Sequence, residues 1–219
     1  MKTRIYYLEI DDNIDYIKWD KLLSFVSKEK QNEILRFKFD IDKKLSLYSD
    51  LLIRIMICSE LNIVNNQIRF MKNRYGKPYL FGEQNLQYNI SHTRNCIVAI
   101  FSNTPVGIDV ERITQVNIDI CKRFFSHKEQ EYVNKVDSYV DSRFFELWTK
   151  KESYIKYVGK GLSIPLQSFC VFEASIYEKI KVFIINDYVI SVCCDSNIEK
   201  GIVKLDEKIF VEWAMGYMH

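Results

Sequence analysis

The chain has 219 residues, 47% hydrophobic and 14% aromatic, enough apolar mass for a core in one large domain or in two small halves packed together. A formal net charge of +2, from 31 basic and 29 acidic residues, is too small for a nucleic-acid binder that works by bulk phosphate neutralisation. No run of like charges forms a tail, and no apolar segment reaches membrane-spanning length.

The N-terminal MKTRIYYLEIDDN has too short an apolar run for a secretory leader and meets acids at once, and a strand is expected over 4–10. Helices are expected over 20–27 and 28–37. A longer one is expected over 40–61, where Ile41, Leu45, Tyr48, Leu51, Leu52, Ile55 and Met56 keep helical spacing. Strands follow at 67–71, 86–92, 96–101 and 106–111. Beyond a boundary near Thr104–Pro105 the order of elements repeats, although the residues do not. Helices at 119–124 and 127–134 lead to a long one at 138–158, and strands are expected at 169–172, 180–185, 188–193 and 208–212. The expected fold is therefore α+β, with halves 1–104 and 105–219 meeting along a cleft. Cys58, Cys96, Cys121, Cys170, Cys193 and Cys194 show neither C-x-x-C nor zinc-like spacing, and read as reduced core residues of a cytoplasmic protein.

In GIDVER, 107–112, alternation puts Ile108 and Val110 on one face and Gly107, Asp109 and Glu111 on the other. Two carboxylates that close repel unless something positive lies between them. A divalent cation answers that need, and a solvated strand face is the alternative. In the helix at 138–158, Phe144, Trp148, Ile155 and Val158 form an apolar stripe with Lys151 inside it. A buried ammonium must meet an anion, which the protein or a ligand can supply. Glu152 and Lys156 lie one and two turns beyond Trp148 on the same side.

RYGKPYL makes a basic turn at Arg74, Gly76, Lys77 and Pro78, suited to an anion or simply a hairpin. His92 continues the strand face of Leu86, Tyr88 and Ile90, as a ligand contact or a core-edge residue. Ser126 before His127–Glu129 fits an N-cap with a capping-box glutamate, which competes with any catalytic role for Glu129. Together, Asp109, Glu111 and Glu152 offer the hard oxygens that Mg²⁺ takes, and Lys77, His92, Lys151 and Lys156 suit phosphates. With no Walker loop, H-E-x-x-H or G-x-S-x-G present, phosphate chemistry organised by acids and lysines remains.

YGKP (75–78), NISHT (89–93), GIDVER (107–112), RFFSHKE (123–129) and LWTKKESYIKYVGKGLSIPLQSF (147–169) are similar in order and spacing to the 4′-phosphopantetheinyl transferases of the surfactin-synthetase-activating type. The likeness runs from Lys21 to Val171. It implies two α+β halves related by pseudo-twofold symmetry, active as a monomer with the site in the cleft between them. It also implies transfer of phosphopantetheine from coenzyme A to a serine of an apo acyl or peptidyl carrier protein, with release of adenosine 3′,5′-bisphosphate. The carrier would serve fatty-acid, polyketide or nonribosomal-peptide synthesis.

Carried over by position, the resemblance makes Asp109, Glu111 and Glu152 the ligands of Mg²⁺, with Mn²⁺ as an alternative ion. Lys156 would steady the diphosphate. His92 and Lys30 would meet the 3′-phosphate, with Lys44 nearby, and Tyr75, Gly76, Lys77 and Pro78 would hold adenosine. Ser91 and Lys151 join the coenzyme-binding set. Glu152, or Glu129 through a water, would take the serine proton. Glu33 and Leu45 stand where well-studied bacterial members carry a lysine and an arginine. Two rival readings use the same residues: a Mg²⁺-dependent phosphohydrolase acting on a diphosphate, and a carrier-binding module without catalysis. Phe124, Phe125 and Tyr132 offer an apolar surface that would suit a protein partner.

Overall fold

In the computed structural model, which describes residues 2–135, 138–196, 198 and 201–217, the chain opens with strand β1 (Arg4–Glu9) and helices α1 (Tyr16–Ser24), α2 (Lys28–Leu35) and α3 (Asp40–Leu61). Caps set the first two helix starts. Asp15 accepts from the Ile17 amide and Ser27 from the Lys30 amide. α1 therefore begins at Tyr16, ahead of its expected start at 20.

Short strands β2 (Phe70–Lys72) and β3 (Pro78–Leu80) form a hairpin, followed by β4 (Gln87–Thr93), β5 (Cys96–Ser102) and β6 (Val106–Arg112). Next come α4 (Cys121–Phe124), α5 (His127–Val133), α6 (Val140–Val158) and α7 (Ala174–Tyr177). The chain continues with β7 (Ile180–Ile185), β8 (Tyr188–Cys194), β9 (Ile202–Leu205) and α8 (Glu207–Tyr217).

Besides the β2–β3 hairpin, the described residues form two larger sheets, ordered β4-β5-β1-β9 and β6-β8-β7. Strand periodicity sorts their faces. Tyr6, Leu8, Ile97, Ala99 and Phe101 pack on α3 and α8, through residues such as Leu47, Leu51, Phe210 and Ala214. The alternate residues Ile5, Tyr7, Cys96, Val98 and Ile100 pack on Val106, Ile108, Val110, Tyr188, Ile190 and Val192 of the second sheet. Each of these aliphatic side chains, once fully buried, contributes about 1.5–3 kcal/mol. A third cluster, including Cys121, Phe125, Phe144 and Leu147, holds α4, α5 and α6 together. The molecule is thus an α+β stack, with α3 and α8 outside one sheet and α6 outside the other.

Two expected strands are corrected, and one unexpected strand is found. Residues 169–172 form no strand, because the Val171 amide donates to the Glu129 carboxylate instead of to a sheet. Residues 208–212 lie in α8, where Asp206 accepts from the Lys208 and Ile209 amides and Phe210, Val211 and Ala214 face α3. The strand of this region is β9, which runs parallel to β1 and completes the first sheet. The end of the expected 105–219 half therefore returns to the other half. All six cysteines are free, five buried and Cys170 half-buried. Among the described residues no helix is long and apolar enough to cross a membrane.

Candidate active site

Gly107 explains why a glycine precedes the two acids. A Cβ there would stand 2.0 Å from the Ser153 carbonyl oxygen and 2.4 Å from the Tyr157 nitrogen. The backbone of α6 crosses β6 at that point, and only hydrogen fits between them. The crossing brings Glu152 and Lys156 of α6 beside Asp109 and Glu111, which share the Gly107 face. Edge strand β4 closes the other side. The Asn89 Oδ1 accepts from the Ile108 amide at 2.9 Å, Ser91 Oγ donates to Asp109 Oδ1 at 2.8 Å, and Thr93 Oγ1 donates to Glu111 Oε2 at 3.3 Å.

Lys156 Nζ donates to Asp109 Oδ1 at 2.6 Å and to Ser91 Oγ at 2.9 Å. The other oxygen, Asp109 Oδ2, is buried and has no hydrogen-bond partner. Burial, then the charge of Asp109, pushes Glu111 up to about 7, and the same two causes raise Glu152. An orphaned carboxylate oxygen beside two destabilised carboxylates is a set of hard donors that fits a small divalent cation. Among the described residues, no group of three or more His, Cys, Asp or Glu side chains stands assembled to hold such an ion. Lys156 supplies the positive charge beside Asp109 instead.

A cavity of about 350 Å³ opens from these groups, lined by the turn Tyr75–Pro78, Asn89, Ile90, Glu152, Lys156 and the glycines Gly159 and Gly161. Gly76 has φ +89°, and Asn73 Oδ1 accepts from the Tyr75 and Lys77 amides at 2.9 and 3.0 Å, which fixes the turn. A second cavity of about 350 Å³ shares Pro78 and Ile90 with the first and carries Lys30, Lys72 and His92. His92 is exposed, yet desolvation, then Lys156 and Lys30, hold its imidazole below the usual histidine range. Lys30 is paired with Glu33 at 2.8 Å. Leu45, buried in α3, lines a neighbouring apolar cavity of about 500 Å³ with Phe37 and His92.

The structure separates three expected site residues from this centre. Lys151 is fully buried, and its ammonium donates to both Glu129 oxygens at 2.8 and 2.7 Å and to the Phe169 carbonyl at 2.8 Å. Glu129 also accepts from the Ser126 and Val171 amides at 2.8 Å each. Both side chains are fully buried and every polar atom of the pair is bonded, so Lys151 and Glu129 stand as a closed ion pair apart from the Asp109 group. Lys44 is 2% exposed and bound to Asp11 Oδ1, to Glu207 Oε1 and to the Asp11 and Asn13 carbonyls. It lines a different cavity, between α1 and α8, rather than the one at His92.

Lys77 reaches the site by another route than expected. Its Nζ donates to the backbone carbonyls of Val106, at 3.0 Å, and Lys156, at 2.6 Å, and burial pushes it down to about 8. The aromatics expected to form a partner surface are packed instead. Phe125 is core, Phe124 lies edge-on to Trp148, and Tyr132 meets Phe172. Asn73, Asn89 and Thr93 were not singled out from the sequence. Alternation of short polar residues at 89, 91 and 93 was the signal for the latter two.

Residues 15–104 match the family model "4′-phosphopantetheinyl transferase, N-terminal", and residues 105–201 match "4′-phosphopantetheinyl transferase superfamily". Among curated proteins, the chain is 44% identical to "4′-phosphopantetheinyl transferase gsp" of Aneurinibacillus migulanus, over 75% of this chain and 69% of the relative. It is 35% identical to "4′-phosphopantetheinyl transferase Sfp" of Bacillus subtilis (strain 168), over 77% and 75%. A more distant relative is "L-aminoadipate-semialdehyde dehydrogenase-phosphopantetheinyl transferase" of Homo sapiens, 29% identical over 68% of this chain and 53% of the relative.

Proposed function

This chain belongs to the 4′-phosphopantetheinyl transferase superfamily, and from that premise we propose that it moves phosphopantetheine from coenzyme A to a serine of an apo carrier protein at the Asp109–Glu111–Glu152 centre. The observation that carries this assignment is the buried, unpartnered Asp109 Oδ2. In this reading two halves divide near 104–105, with β9 and α8 returning to the first, and are related by pseudo-twofold symmetry with the site in the cleft between them. Both halves contribute to it from one chain, so the active unit is a monomer. Adenosine lies in the cavity of the Tyr75–Pro78 turn, and the 3′-phosphate meets His92 and Lys30 in the adjoining one. Lys156 leaves Asp109 to hold the diphosphate, which its half-exposed side chain permits.

Asp109, Glu111 and Glu152 would hold a divalent cation, Mg²⁺ or Mn²⁺. Such an ion supplies charge neutralisation for the diphosphate when bound. The carrier serine oxygen attacks the phosphorus that bears pantetheine. That phosphorus gains the serine P–O bond and loses its bond to the adenylate phosphate, so adenosine 3′,5′-bisphosphate departs. The serine proton passes to the Glu152 carboxylate. Glu152 is the candidate base because it lines the coenzyme cavity beside Lys156, while Glu129 is fully buried. Ser91 keeps Asp109 oriented by donating to its Oδ1.

The test is intact-mass analysis after incubation with an apo carrier, coenzyme A and Mg²⁺. Gain of one phosphopantetheine by the carrier is the expected result. Free phosphopantetheine without carrier labelling would mark a phosphohydrolase, and neither product would leave a binding module.

A further inference from the structure

Lys77 is an oddity that phosphate binding does not explain. Its ammonium faces backbone carbonyls rather than an anion, and each carbonyl belongs to a different element of the second half. Val106 begins β6, two residues before the Ile108 amide that Asn89 holds. Lys156 lies in the last turn of α6, where carbonyls lack intrahelical donors and carry the negative end of the helix dipole.

A second tie runs in parallel. Asn73 Nδ2 donates at 2.9 Å to the carbonyl of Gly159, the left-handed residue that ends α6. The fit is close, since a Cβ at Gly159 would stand 3.1 Å from Lys77 Cδ. Hairpin turn, strand start and helix end therefore meet at one ammonium. The same residue whose carbonyl it holds, Lys156, carries the side chain that touches Asp109.

We propose that Lys77 is a positioning residue, which clamps the Tyr75–Pro78 turn to the last turn of α6 and thereby sets Lys156 relative to Asp109. This rests on the transferase reading for its consequence, but not for its structure. The clamp acts through the two carbonyls that the ammonium holds. It couples the adenosine cavity to the diphosphate-binding lysine, so that a coenzyme held at one end is aligned at the other. The low proton affinity of Lys77 agrees with an ammonium buried against neutral carbonyls rather than against a carboxylate.

The experiment is a double-mutant cycle of Lys77→Met and Lys156→Met, followed by carrier labelling at saturating coenzyme A. Lys77→Met keeps the methylene stem and removes the donors. Alone it should lower kcat by about tenfold, the effect of losing one charged hydrogen-bonding group. In the Lys156→Met background it should cost little more. Lys77→Gln, which retains one donor group, should recover part of the loss, and it replaces the methionine variant if that variant fails to fold. Full multiplication of the two losses would overturn the proposal by giving Lys77 a contact of its own. So would a lowered melting temperature with unchanged kcat and KM.

Hydrogen exchange over 155–161 separates the clamp from the reaction. Faster exchange there in Lys77→Met is expected whatever the enzyme transfers. Unchanged exchange would overturn the clamp even if wild-type labelling succeeds. Faster exchange in a protein that labels no carrier would sink the transferase reading alone.

Discussion

Two of the lysine–carboxylate pairs on α6, at Lys151 and five residues on at Lys156, have opposite designs. Lys151 and Glu129 are both fully buried, and every oxygen and nitrogen of the pair is bonded. Lys156 and Asp109 are joined through one oxygen only, with the lysine partly exposed and the second Asp109 oxygen buried and unpaired. A saturated buried pair has nothing left to offer a ligand, and serves to fix α5 and the 169–171 segment against α6. An unsaturated one keeps a cost in the free protein that a ligand can relieve. The contrast separates scaffold from site more sharply than charge or burial alone.

Breaking the saturated pair should give the largest effect, and on stability alone. Lys151→Met leaves Glu129 charged and buried, which costs about 3–5 kcal/mol. Urea unfolding would measure it, with kcat/KM of the folded enzyme staying near the wild-type value. Adding Glu129→Gln should restore part of the loss by removing the stranded charge. An activity collapse in folded Lys151→Met would erase the distinction between the pairs.

Asp109→Ala should do the reverse. Transfer measured by intact mass should fall by at least about a hundredfold, since even groups that merely orient a metal ligand cost 10–100-fold. The melting temperature should change little, because the orphan oxygen is lost together with the bonds that Asp109 Oδ1 accepts from Lys156 and Ser91. His92→Ala should raise KM for coenzyme A by about tenfold, the scale of one charge-assisted hydrogen bond, and leave 3′-dephospho-coenzyme A nearly unaffected. Equal losses on both substrates would remove the 3′-phosphate from His92. Smallest of all, Glu33→Gln frees Lys30 from an exposed pair worth little, and should lower KM for coenzyme A by roughly twofold.

The sequence carried the elements that build the site because their signals are local. Helical spacing through Leu45, Tyr48, Leu52 and Met56 marked α3, alternation marked β4 and β6, and a continuous apolar run marked β5. The Gly107 requirement was visible as an odd glycine, but its reason, a helix backbone lying against it, needed the packing. The C-terminal region reads as a strand from sequence because Ile209–Val211 is a short β-branched and aromatic run between charges. The Asp206 cap and the docking of Phe210 and Ala214 on α3 make it helical. β9 was missed because its partner β1 lies at the other end of the chain. Lys151 was recognised as anomalous inside its stripe. Its partner lies 22 residues away, and only the fold shows that Glu129 saturates it. Lys77 was legible as a basic residue in a turn, and its carbonyl partners were not.

The account depends on Asp109, Glu111 and Glu152 holding one divalent cation. The direct test is titration of Mn²⁺ by electron paramagnetic resonance, in the presence of coenzyme A, for the wild-type chain and for Asp109→Ala. One bound ion per wild-type chain, lost in the variant, is the predicted result. Equal binding by both proteins, or none by the wild type, would contradict it.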